Sequence, residues 1–186
     1  MNETNHSNGD IRKNSKKRTR KYFIYLFIIL IFVQIMDAYT TSYTAAFPSK
    51  IIEEFLTGYS TNQANAIYAI CVGIATAGMY FVFVTQYLAD KVGRKYMLAF
   101  TTFGMGISAL LLALSTNIVM YTIFLFCTYL FFSTDMWLIY INEESPAEKK
   151  GYYSNLLLAF GIMGPILMPL FRSIFITESS PVGSWR

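Results

Sequence analysis

Gln86-Tyr87-Leu88-Ala89-Asp90-Lys91-Val92-Gly93-Arg94-Lys95 is the stretch whose reading decides the fold. It is a short charged interruption between two apolar runs, about 64–89 and about 96–114. Each run is long enough to cross about 30 Å of hydrocarbon as a helix. Gly93 permits a tight turn that other residues resist. Asp90 closes the first run and stands near the start of the second, where negative charge is favoured. Arg94 and Lys95 hold the turn at the polar face of a membrane. The stretch therefore predicts a hairpin of two membrane helices.

Three more apolar runs lie outward from it, about 22–46 before and about 118–141 and 152–176 after. The expected fold is an all-α polytopic membrane protein with five transmembrane helices. A barrel is excluded because the runs are longer than barrel strands, and a helix satisfies its own backbone groups in lipid. Composition agrees. The 186 residues are 54% hydrophobic and 14% charged, whereas soluble domains average about a quarter charged. The loop of about Ser115-Thr116-Asn117 is short enough to force an antiparallel pair. Between the first two spans, Pro48 and the pair Glu53-Glu54 break the apolar run, while Ile51, Ile52, Phe55 and Leu56 keep helical spacing. An amphipathic turn above the bilayer is expected there.

Basic residues set the expected orientation. Seven precede the first span (Arg12, Lys13, Lys16, Lys17, Arg18, Arg20, Lys21), three follow the second (Lys91, Arg94, Lys95) and two follow the fourth (Lys149, Lys150). These fall on one side if the spans alternate direction. Only Lys50, Arg172 and Arg186 fall on the other. The positive-inside rule then puts the N-terminus in the cytoplasm. Residues 1–21 read as a disordered basic cytoplasmic tail, and 22–186 as one transmembrane domain of the cell membrane. The net charge of +4 reports this topology and not a nucleic-acid partner. Arg172, at the far end of the fifth span, is expected to snorkel.

Catalytic chemistry finds no support. The single histidine, His6, lies in the polar tail, and both cysteines, Cys71 and Cys127, fall inside spans as small packing residues. No nucleophile–base set, metal spacing or phosphate-cradling loop is present, so no enzyme, metal or cofactor is expected. Asn2-Glu3-Thr4 and Asn5-His6-Ser7 match the glycosylation pattern, but a cytoplasmic tail makes both matches chance.

A second charged loop, Glu143-Glu144-Ser145-Pro146-Ala147-Glu148-Lys149-Lys150-Gly151, follows the fourth span. The two loops together carry a family resemblance. Leu88-Ala89-Asp90-Lys91-Val92-Gly93-Arg94-Lys95 resembles the loop signature of the major facilitator superfamily. The later loop resembles that family's Glu-x-x-Pro-x-x-x-Arg-Gly segment, with Lys150 in the place of Arg. Gln86 stands where the family pattern begins with Gly, so helix packing at that point is expected to be looser or shifted. The resemblance covers nearly all of the chain after residue 21. It implies that Asp90, Gly93, Arg94 and Glu143 form a cytoplasmic gate, with Arg94 and Glu143 in one charge network. The plain alternative is a set of separate solvated charges.

Asp37 stands near the middle of the first span, and intramembrane carboxylates are expensive enough that a functional role is the default. Gln34, Asp37, Thr41 and Thr44 follow i, i+3, i+7, i+10 spacing and form one polar stripe. The stripe suits a substrate path. The first span also resembles that of sugar porters, in which an Asp near this point binds or relays a proton. That likeness makes Asp37 a candidate for proton coupling. The family's arginine partner on span four has no counterpart, so a plain cavity residue is the other reading. Asp135 shares a heptad spacing with Thr128 and Asn142, and either lines the inner cavity or lies at a watered interface. In the fifth span Gly161, Gly164, Pro165 and Pro169 predict a bend and close helix approach.

By this resemblance the chain corresponds to spans one to five of the six-helix N-terminal half of a secondary transporter. A small-molecule solute, a proton, the lipid bilayer and a missing C-terminal half are the expected partners. The other expectation is a non-transporting membrane fragment or assembly subunit that needs another chain.

Overall fold

A computed structural model describes residues 20–132, 136–176, 180–181 and 183–185, with the side chains of 20 and 21 left aside. Asp135 and the tail before residue 20 lie outside the described residues. The described chain is helical, without strands among the described residues. Helix α1 (Arg20–Ala46) is the first span, and α2 (Pro48–Phe55) is a separate short helix at its far end. The second span is α3 (Thr61–Thr76), a 3₁₀ turn (Ala77–Phe81) and α4 (Val82–Val92). The third is α5 (Arg94–Ala113). The fourth has α6 (Ile118–Leu130) and α7 (Met136–Glu144) on either side of residues 133–135. The fifth, α8 (Lys150–Gly161) and α9 (Met163–Phe175), breaks at Ile162, where glycine and proline are expected to bend it. Among the described residues, four helical segments are long and apolar enough to cross a membrane: Tyr22–Ala46, Thr61–Val92, Arg94–Ala113 and Ala147–Phe175. Ile118–Leu130 is a shorter apolar helix.

Local chemistry sets the ends of these elements. Gly93 has φ 110°, a conformation that side chains resist, and it alone separates α4 from α5. Its N–H donates to Ala89 O and its carbonyl accepts from Met97, so one residue closes one helix and opens the next. Pro48 opens α2 at the position where its missing N–H costs nothing. Asn117 caps α6, its Oδ1 accepting from the Met120 N–H at 2.8 Å. The Ser60 N–H donates to Gln63 Oε1 at the start of α3.

Packing divides the bundle into two apolar clusters. One joins Leu26, Leu30, Met97, Met136, Trp137, Ile141 and Leu157 near the Arg94 end. The other joins Phe47, Ile51, Leu56, Tyr68, Tyr121, Leu125, Tyr129 and Trp185 at the opposite end. The fifth span lies along the first, and the fourth packs on the second and third. Small residues allow this closeness. A Cβ at Gly164 would stand 2.8 Å from Ile35 O and 2.7 Å from the Ala38 Cβ.

Candidate functional site

The Arg94 end is built from three helix termini. Asp90 lies in the last turn of α4, Arg94 opens α5 and Glu143 lies in the last turn of α7. Arg94 Nη2 donates to Asp90 Oδ1 at 3.3 Å, and Nη1 donates to Glu143 Oε1. One guanidinium thus bridges the loop between spans two and three to the end of span four. The bridge is wet. Its side chains are 31% exposed for Arg94, 68% for Asp90 and 51% for Glu143. A cleft of about 420 Å³ beside it is lined by Gly93, Lys95, Tyr140 and Glu144 as well as the three charged residues.

The placement runs against helix electrostatics. A helix N-terminus carries partial positive charge and a C-terminus partial negative charge. Arg94 sits at a positive end and Glu143 at a negative end, while Asp90 lies between the negative end of α4 and the favourable start of α5. Arg94 and Glu143 alone are each misplaced by about 0.3–1 kcal/mol. Brought together, the three offset one another. Exposed ion pairs contribute only about 0–1 kcal/mol each, so the arrangement holds the three helix ends together only weakly.

The stripe of the first span runs through the bundle interior. Asp37 is only 4% exposed. Gln34 packs its amide against Gly161 of the fifth span, where a Cβ would collide with the Gln34 Nε2. The Gln34 Oε1 is buried with no hydrogen-bond partner among the described residues. Thr41 donates to its own helix, at Asp37 O 3.0 Å and Ala38 O 3.1 Å. Thr44 shares a 3.2 Å hydrogen bond with Tyr129 OH, and its carbonyl accepts from Tyr68 OH at 2.8 Å. The stripe therefore faces the fifth span at one end and the second and fourth at the other. In span four, Thr128 donates to Phe124 O and Asn142 Oδ1 accepts from Ser154 Oγ at 2.8 Å.

The family model described as "Sugar (and other) transporter" matches residues 23–186. The chain belongs to this family. Comparisons with curated proteins and with solved structures find no match. Membership and the four long apolar helical segments make it a multi-pass membrane protein of the major facilitator type, a transporter of small-molecule solutes.

Some contacts have no signal in the sequence. Arg172 is exposed at the end of the fifth span, and its Nη1 donates to Ala46 O at 2.6 Å, tying the fifth span to the first. Nothing in the sequence singles out Tyr68, Tyr121 and Tyr129. Two of them hold Thr44, and all three are buried. Aromatic residues at helical spacing give no sign of which hydroxyl meets a partner.

Proposed function

We propose that the chain moves a small polar solute of the sugar class across the cell membrane, as spans one to five of a major-facilitator secondary transporter with a cytoplasmic N-terminus. The observation that carries this reading is the Arg94 latch, in which one cation joins Asp90 and Glu143 from two loops of the same face. A link of this kind between spans two, three and four is weak enough to open in every transport cycle. In this reading Asp90, Gly93, Arg94 and Glu143 gate the cytoplasmic mouth. Gln34, Asp37, Thr41 and Asp135 border the solute path. Asp37 takes up a proton from one side and releases it to the other, which makes transport a proton symport. Solute binding between two halves and rocking of one half on the other supply alternating access.

Proteoliposomes holding the chain, alone and with a C-terminal half, test this with labelled hexoses under an imposed pH gradient. Solute uptake that follows the gradient supports the proposal. Replacing Asp37 by Asn is expected to abolish gradient-driven uptake and to spare exchange. Unchanged pH dependence in that variant removes the coupling role, and absence of hexose movement in every preparation removes the transport role.

A second reading is a membrane subunit active only with another chain. Transport that appears only after co-reconstitution with a C-terminal half distinguishes it from autonomous transport.

A further inference from the structure

At the end opposite Arg94, the segment after the fifth span is bolted to the helix that follows the first. Trp185 is 3% exposed and sits between rings of the first span, α2 and α6. Its ring centroid lies 6.2 Å from Tyr43, 5.9 Å from Phe55 and 5.8 Å from Tyr121, the last two near edge-on. Its indole N–H and its backbone carbonyl are both engaged. The indole Nε1 donates to Glu54 Oε2 at 2.5 Å, and the backbone carbonyl accepts from Tyr43 OH at 2.8 Å. Two flanking bonds lie nearby, one between the same segments and one between the fifth span and the first. Lys50 Nζ donates to Ser180 O at 3.2 Å, and Arg172 Nη1 donates to Ala46 O at 2.6 Å. Helix α2 is amphipathic, with Ile51 fully buried beneath it and Ser49 exposed above.

We infer that Trp185 is a clasp that holds α2 down over the ends of spans one and four, acting through Glu54. A buried tryptophan needs a partner for its N–H, and Glu54 supplies an acceptor from the surface of the very helix that must be held. The aromatic faces alone would let α2 slide. The bond from the indole N–H to a side-chain oxygen at position 54 fixes its register, because a hydrogen bond is directional where ring packing is not. Opening the clasp lifts α2 and exposes Ile51. The clasp is independent of the transport reading and stands or falls on its own measurement.

The purified full chain in detergent provides that measurement. In a background with Cys71→Ser and Cys127→Ser, a cysteine replaces Ile51 and its reaction with a maleimide is timed. Trp185→Phe and Glu54→Ala are each expected to speed the reaction about tenfold, equivalent to about 1.4 kcal/mol. Glu54→Gln keeps an acceptor oxygen and is expected to leave the rate within about twofold of the parent. The second readout keeps Ile51 in place. With Trp137→Phe, Trp185 is the sole tryptophan, and its fluorescence is expected to resist acrylamide in the parent and in Glu54→Gln but not in Glu54→Ala. Equal labelling rates in all variants, or equal quenching of Trp185 with Glu, Gln or Ala at position 54, overturn the clasp.

Discussion

Arg94 carries more consequence than its energy suggests. It opens a helix whose dipole opposes its charge, and it is offset by two carboxylates, of which Glu143 opposes the dipole of its own helix. Removing Arg94 or Glu143 leaves the other misplaced. A double-mutant cycle on Arg94→Gln and Glu143→Gln is therefore expected to give a coupling of about 0.5–1 kcal/mol in thermal or denaturant stability. Salt should erode it, since dissolved ions weaken an ion pair this exposed to solvent. A coupling that does not change between low and high salt would falsify the electrostatic account. Gly93 is expected to behave differently. Gly93→Ala places a side chain at φ 110° and should cost more than about 1 kcal/mol of stability, with no salt dependence. The glycine turn and its flanking charges were legible in the sequence because each depends on neighbours within four residues. The bond from Arg94 to Glu143 spans 49 positions, and only the family likeness brought those two together. The site of Gln34 was legible as a polar stripe, but its seat against Gly161 was not, because spacing reveals a face and never what covers it.

Among the elements, the fifth span on the first is the contact most sensitive to side-chain size. Gly164 stands where a Cβ would press on Ile35 O, Ala38 and the Tyr39 N–H. Backbone atoms cannot move aside as a flexible side chain can. Gly164→Leu is expected to destabilise the folded chain by about 1–3 kcal/mol, measured as a lower midpoint of thermal unfolding in detergent. Gly106→Leu is the control, since a Cβ there meets nothing within 4 Å, and it should be close to neutral. Equal losses at both positions would mean that leucine harms any glycine site and that the close approach is unimportant. The apolar runs predicted these helices because a membrane leaves the backbone little other choice. Interruptions were harder to see. The bend at Ile162 follows from glycine and proline in the sequence. The 3₁₀ turn at Ala77–Phe81 does not. It lies beside the packing contact of Gly78 with Phe126 O and Leu130 N, a tertiary cause that no local pattern contains. Helix α2 was foreseen as an amphipathic turn, and its burial of Ile51 follows from that pattern. Its tie to Trp185, 131 residues away from Glu54, does not.

For the molecule as a whole, orientation and conformational cycle are linked. The latch of Arg94 and the clasp of Trp185 lie at opposite ends of the same bundle. Basic residues cluster at the latch end, with Lys91, Arg94, Lys95, Lys149 and Lys150 there, while Lys50 and Arg172 mark the clasp end. If the charge asymmetry directs insertion, the latch faces the cytoplasm and the clasp faces outward. A weak, screened latch inside and an aromatic, largely dehydrated clasp outside would then divide the work. In the proposed cycle the inner end would open readily, and the outer end would keep spans one, four and five together meanwhile. Orientation can be read directly. In intact cells and with both native cysteines replaced by serine, Ser49→Cys is expected to react with a membrane-impermeant maleimide, because Ser49 is exposed on α2. Lys91→Cys, exposed beside the latch, is expected to react only after the membrane is permeabilised. The reverse pattern would place the latch outside, and the proposed cytoplasmic gate would then have to be an extracellular one.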